Sequence, residues 1–255
     1  MTKRKGSNSR DAIDSAILER LNLGLEESAT LSEALAVDFS ILLEHVAPNV
    51  APKDRQSVAD AHGLGITKRM SLVATVLAKH FDKSSVSDLH YHQSDTVRGW
   101  AAFMIAQDNE LSLSQKLSAV HALADDPHFG VREWAWLALR PEIAANIQQV
   151  IKELEPWVMS ESENIRRFAI EATRPRGVWS KHILELKKSP AMAENLLNGV
   201  MEDSSKYVRD SCGNWLNDAA KSQPLWVIEF CKAWQDKSTS TATDYIIKRG
   251  LRNIA

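Results

Sequence analysis

Apolar and polar positions alternate along this chain with the spacing of amphipathic helices. Between residues 11 and 47, Leu18 and Leu21, and then Leu31, Leu35, Phe39 and Leu42, recur three or four positions apart. That spacing predicts two helices with these side chains facing inward. Prolines at 48 and 52 break the pattern over residues 48–53. Helical spacing resumes over about 53–62 and 66–82, and from residue 84 onward helices are expected in pairs. Pro141 is expected to open a helix at its first position, just after Arg140. Pro175 is expected to end a helix near Thr173, leaving a loop from Arg174 through Pro175, Arg176, Gly177 and Val178 to Trp179. Ile246, Ile247 and Leu251 close the last predicted helix.

One block recurs inside this pattern. Val97-Arg98, Val131-Arg132, Ile165-Arg166 and Val208-Arg209 share a register, with arginines separated by 34, 34 and 43 residues. The blocks read VRGWAAFM, VREWAWLA, IRRFAIEA and VRDSCGNW, and Asp95, Asp126, Ser160-Glu161 and Asp203 supply polar turn residues before them. Positions −1, +2, +3 and +6 from the arginine are apolar or small, as in Val131, Trp134, Ala135 and Ala138 or Ile165, Phe168, Ala169 and Ala172. These offsets share one side of a helix, which is therefore the core side. Trp100, Trp134 and Trp215 fall in such stripes and are expected to be buried. A period near 35–45 residues with two helices per unit implies an all-α, HEAT-like repeat α-solenoid, a superhelix of antiparallel helix pairs. The expected organisation is a disordered basic tail over residues 1–10 and a single HEAT-like domain over 11–255. Its N-terminal helices would cover 11–83 and its clear repeats 84–255.

Composition adds little to that fold but bounds the function. With 44% hydrophobic and 25% charged residues the chain is an ordinary globular sequence. It has no run of eighteen apolar residues, so no membrane partner is expected. The basic start MTKRKGSNSR lacks a following apolar segment, so a secretory signal is not expected. Cys212 and Cys231 sit among apolar neighbours, which fits a reducing cytoplasm. No CxxC, HExxH or His/Cys cluster occurs, so neither a metal nor a cofactor is expected. Net charge is −2, which by itself argues against a dedicated nucleic-acid binder. The distribution changes that reading. Between Asn164 and Lys188, seven basic residues (Arg166, Arg167, Arg174, Arg176, Lys181, Lys187, Lys188) face only Glu171 and Glu185. Such asymmetry can build a basic surface on a neutral protein.

Three acids interrupt the predicted groove-lining face. Glu133, Glu171 and Asp218 lie one, five and nine positions after their repeat's arginine. Each is thus one helical turn further along than the last, off the apolar side, so stacked helices would set them on a diagonal. Carboxylates beside basic residues suit a partner that develops positive charge at one point. A structural arginine–carboxylate ladder is the alternative. Trp179 lies in a Pro/Gly-bounded loop rather than an apolar stripe, where an indole face can meet a cation.

The segments SENIRRFAIEATRPRGVW and YVRDSCGNWLNDAAKSQP closely resemble the AlkC branch of the AlkC/AlkD alkylpurine DNA glycosylases, HEAT-like proteins of bacterial alkylation repair. The resemblance covers about residues 85–255. It implies catalytic roles for Asp218, Glu171 and Glu133 and a lesion-binding role for Trp179, with Val178 standing where the family often has proline. It also implies phosphate contacts from Arg166, Arg167, Arg174, Arg176 and Lys181. The sequence ends without a counterpart of the immunoglobulin-like domain that many members carry. The implied activity is hydrolysis of the N-glycosidic bond of cationic alkylated bases such as 3-methyladenine. It would act on double-stranded DNA, as a monomer in the bacterial cytosol. The rival reading is a non-catalytic HEAT-like module that binds DNA structures or a protein.

Overall fold

The computed structural model describes residues 4–81, 86, 88–177 and 179–254. The elements found there are helical. The long ones are α1 (Ser15–Asn22), α2 (Leu31–Ala36), α3 (Phe39–Val46), α4 (Pro52–Asp60) and α5 (Ile66–Leu77). Next come α6 (Asp95–Gln107), α7 (Leu113–Ala124), α8 (Phe129–Ala145), α9 (Ile147–Leu154) and α10 (Glu163–Ala172). The chain finishes with α11 (Leu184–Lys188), α12 (Glu194–Gly199), α13 (Lys206–Ala220), α14 (Pro224–Lys237) and α15 (Thr241–Gly250). Its contacts group it into two compact units, Met1–Ala138 and Leu139–Ala255. In the first unit α5 packs on α6 and α6 on α7; in the second α10 packs on α13 and α13 on α15.

A single local device starts the second helix of each pair. Three residues before the helix, a side chain accepts the backbone N–H two positions on: His92 from Ser94, Asp126 from His128, Ser160 from Ser162, Asp203 from Ser205, and Ser238 from Ser240. That second residue then caps the helix in four of the five cases. His128 Nδ1 accepts from Gly130 N, and the hydroxyls of Ser162, Ser205 and Ser240 accept from Asn164, Tyr207 and Ala242. Capping residues of these types satisfy otherwise orphaned N–H groups. The motif arginine occupies the fourth position of α6, α8, α10 and α13. From there its Nη1 reaches back to the two carbonyls of the turn. Arg98 donates to His92 and Gln93, Arg132 to Asp126 and Pro127, Arg166 to Ser160 and Glu161, and Arg209 to Asp203 and Ser204. Its other donors make a rung to the next turn. Arg98 Nε and Nη2 bind Asp126 at 2.8 and 3.1 Å, and Arg166 binds Asp203 at 2.6 and 2.9 Å. Arg166, expected to hold a phosphate, is therefore a structural ladder residue. The next turn after Arg209 offers Ser238 in place of an aspartate, and Arg209 Nε is buried without a partner.

The apolar stripe behaves as expected: Val131, Trp134, Ala135, Ala138, Ile165, Phe168, Ala169 and Ala172 are buried, as are Trp100 and Trp215. Several local expectations change. Three α-helices, not two, occupy residues 11–47, and Leu31 is exposed at the start of α2. Asp95 is the first residue of α6, not a turn residue, and its carboxylate accepts from Ser28 N and Oγ. Pro141 lies inside α8 rather than opening a helix. Its missing N–H costs a hydrogen bond, but Leu139, Arg140 and Ile143 around it are all buried, and that packing holds the helix through it. Residues 4–10 are not a free tail. Arg4 pairs with Glu26 and Glu33 at 2.6 and 2.7 Å, and Ser7 N donates to Glu33. The expected boundary at 83/84 lies outside the described residues.

The rung makes a stability prediction. Arg166→Ala leaves the Asp203 carboxylate without its guanidinium partner and should cost about 3–5 kcal/mol in urea unfolding. Arg209→Ala loses its carbonyl bonds and its contact with the Tyr245 ring but strands no carboxylate, and should cost about 1.5–3 kcal/mol. Equal losses would show that the Asp203 rung adds nothing.

Candidate active site

The second unit departs from its regular spacing once. Between α10 and α11 the chain runs eleven residues, 173–183, where α8 and α9 are joined by a single residue. Both arms of this loop are fixed. Thr173 Oγ1 donates back to the Ala169 carbonyl, and Trp215 Nε1 on α13 donates to the Thr173 carbonyl at 3.0 Å. Ile183 N donates to the Pro175 carbonyl at 3.1 Å. At the tip, Trp179 has φ +60° and is 51% exposed. A tryptophan in the left-handed region is a strained conformation that the surrounding loop must impose. Val178 beside it lies outside the described residues.

Beneath the loop, α10 and α13 bring two of the three expected acids together. Asp218 is 3% exposed and Glu171 5% exposed, and one guanidinium joins them. Arg174 Nε and Nη2 donate to Asp218 Oδ2 at 2.9 and 2.7 Å, and Nη1 donates to Glu171 Oε1 at 2.7 Å. Lys221 Nζ adds a bond to Asp218 Oδ1 at 3.2 Å. Ser211 Oγ donates to Glu171 Oε2. Arg167 Nη2 lies 3.6 Å from the same oxygen, with its guanidinium 4.3 Å from the Tyr207 ring centroid. Burial pushes the Glu171 carboxyl up, but Arg167 and Arg174 outweigh it and hold the group below its ordinary range. Glu171 is therefore a carboxylate at neutral pH and no general acid. Glu133 belongs to the first unit, where it is half-buried and its Oε2 accepts from Trp136 Nε1 at 2.8 Å.

The basic residues divide by what occupies them. Arg174, expected on phosphate, is the clamp between the two acids. Arg176 Nη2 donates to Ser222 Oγ, while its Nε and the nearby Ser180 Oγ are buried without partners. Lys181 is exposed. Sequence reasoning missed Arg140, which is 1% exposed on α8 and donates to the carbonyls of Ala172, Arg174 and Lys181. The signal for it was an arginine eight positions after a ladder arginine, inside an apolar stripe.

Residues 131–249 match the model of a family described as DNA alkylation repair enzyme. The chain is similar to that family over this segment, which is just under half of its length. An uncharacterized Bacillus subtilis (strain 168) protein, YhaZ, is 33% identical over 136 residues, covering 53% of this chain and 37% of that protein. Among solved structures, Pseudomonas fluorescens alkylpurine DNA glycosylase AlkC, bound to DNA containing an abasic site analog, superposes with TM-score 0.70. It is 21% identical, over 98% of this chain and 65% of its own. AlkD2 from Streptococcus mutans gives 0.61 at 22% identity, over 79% and 99%. The chain thus has the helical-repeat fold of these proteins and spans less than two thirds of the length of YhaZ and of AlkC. The family match takes in Glu171, Asp218, Arg174 and Trp179.

A lowered carboxyl titration contributes stability that is complete above its ordinary value of 4.5 and is lost as pH falls through the lowered value. The melting temperature of the wild-type protein should therefore fall more steeply with acid, below about pH 5, than that of Glu171→Gln. Parallel acid limbs in calorimetry would show that Glu171 is not held ionised by Arg167 and Arg174.

Proposed function

We propose that this chain is a DNA glycosylase that hydrolyses the N-glycosidic bond of cationic alkylated bases of the 3-methyladenine type. One observation carries the reading: two buried carboxylates are bridged by an arginine of the same loop that presents a half-exposed indole. N3- or N7-alkylated purines already carry positive charge. When the glycosidic bond breaks, its electron pair goes to the base, which leaves neutral, and the positive charge passes to the sugar as an oxocarbenium ion. No general acid is required. Asp218 stabilises the developing charge and orients the water that adds to the sugar carbon, whose lost proton passes to solvent. Arg174, itself held by Glu171, fixes the Asp218 carboxylate together with Lys221, and Trp179 offers its face to the cationic nucleotide. Glu133 is assigned an auxiliary acidic role on the resemblance alone.

Phosphate contact falls to Arg176 and Lys181, with Arg167 assisting, since Arg166 and Arg174 are occupied internally. Such contacts hold the backbone and read no sequence. The reading makes the protein a monomeric repair enzyme acting on double-stranded DNA in the bacterial cytosol. A non-catalytic DNA-binding module is the second reading, favoured by the three bonds with which Arg174 already neutralises the acid pair.

Release of free base from methylated duplex, resolved by chromatography under single-turnover conditions, separates the two. Wild-type protein should release 3-methyladenine. Asp218→Asn, which keeps an oxygen for Arg174, should slow release by about 10²–10³-fold. Full activity in that variant removes Asp218 from catalysis, and no release by wild type leaves the binding module. Trp179→Ala should slow release by up to about thirtyfold, the equivalent of a cation–π contact worth about 2 kcal/mol. The double variant Arg176→Ala, Lys181→Ala should bind damaged and intact duplexes more weakly. It should also lower the salt slope by about 0.9 per lost phosphate contact. Arg166→Ala should leave that slope unchanged.

A further inference from the structure

We propose that Arg140 is the positioning residue of this site, fixing the Trp179 loop at a set distance from the Arg174 clamp. Its guanidinium is buried, and its three hydrogen bonds all go to backbone carbonyls. Nη1 binds the Ala172 carbonyl at 2.6 Å, at the end of α10, and Nη2 the Arg174 carbonyl at 2.5 Å, on the entry arm of the loop. Nε binds the Lys181 carbonyl at 3.2 Å, on the exit arm. One rigid planar fork therefore spans the loop, with Arg174 on one arm and Trp179 between the arms. A lysine or glutamine at 140 cannot reproduce three donors in that plane.

Two further observations fit. A Cβ at Gly177 would lie 3.3 Å from Arg140 Nη2 and 2.1 Å from Ser180 Oγ, so the glycine lets the loop pass close over the guanidinium. Burial and the Arg174 cation also draw the Arg140 guanidinium down to about 10. Burying a cation without a direct carboxylate partner is unfavourable, and here the compensation is the geometry of one loop. The charge nonetheless acts at a distance, since the fields of Glu171 and Asp218 both reach Arg140.

The test compares Arg140→Gln and Arg140→Lys with Arg209→Gln, which removes a different guanidinium staple, on the turn before α13. Trypsin reports loop order directly, because Arg176–Gly177 is a cleavable bond whereas Arg174 is protected by Pro175. At a temperature where all variants are folded, Arg140→Gln should be cut at Arg176–Gly177 about tenfold faster than wild type, while Arg209→Gln is not. Single-turnover base release by Arg140→Gln should fall about tenfold or more with duplex Kd changed less than about threefold. Arg140→Lys, which keeps the charge but not the fork, should recover only a minor part of the lost rate. Unchanged cleavage in folded Arg140→Gln overturns the proposal, as does faster cleavage with undiminished base release. Full rescue by lysine also overturns it, by showing that charge rather than geometry matters. If Arg140→Gln does not fold, Arg140→Lys carries the same readouts, and an Arg140→Lys with unchanged cleavage and full activity overturns the proposal. The base-release arm rests on the glycosylase reading. If wild-type protein releases no base, that reading fails, and the cleavage arm alone decides whether Arg140 orders the loop.

Discussion

An arginine at the fourth position of a helix, reaching back to the two carbonyls of the turn before it, is the contact on which the repeat depends. Those carbonyls sit where the chain reverses and have no helical partner. A side chain from the first turn of the helix satisfies both and so fixes the angle at which the helix leaves the turn. The same guanidinium has an edge left for the next turn, and where an aspartate stands there, as at Asp126 and Asp203, adjacent repeats become tied. Stacking is then a local matter, repeated from one turn to the next.

That regularity gives the irregular loop its meaning. The 43-residue spacing between Arg166 and Arg209 exceeds its neighbours by nine residues, and the surplus lies in the loop carrying Arg174, Arg176 and Trp179. A loop of this length would ordinarily wander. Here a guanidinium from a neighbouring helix replaces the missing helical hydrogen bonds. Arg140 does for this loop what Arg98, Arg132, Arg166 and Arg209 do for the short turns. The chemistry differs in one respect: ladder arginines meet solvent-edge turns and carboxylates, whereas Arg140 is fully enclosed.

The repeat, the apolar stripe and the carboxylates at 171 and 218 were legible in the sequence because each follows from helical periodicity. Spacing alone placed Glu171 and Asp218 one turn apart in adjacent repeats, and the structure joins them through Arg174. What each arginine does was not legible. Arg166, Arg174 and Arg176 look alike in a basic stretch, yet one is a ladder rung, one an acid clamp and one partly unsatisfied, and only three-dimensional partners distinguish them. Arg140 was hidden for the opposite reason, since it sits among apolar residues before a proline that reads as a helix start. Pro141 misled because tertiary burial on both sides of it outweighs the lost hydrogen bond.

The acid pair is outnumbered by its cations. Arg167, Arg174 and Lys221 touch the carboxylates, and Arg140 lies close enough to be felt. A surface that is positive overall but carries fixed negative oxygens at one point discriminates between two kinds of charge. On the glycosylase reading, the phosphates of a duplex would be drawn to the surrounding arginines and lysine. On the same reading, a cationic nucleotide would meet attraction at the oxygens of Asp218 and Glu171, where low exposure strengthens it. On the glycosylase reading this explains why the acids are sunk beneath basic residues instead of standing free. Free carboxylates would repel the backbone that has to approach them, whereas clamped ones leave the approach favourable and act at the single point where positive charge appears.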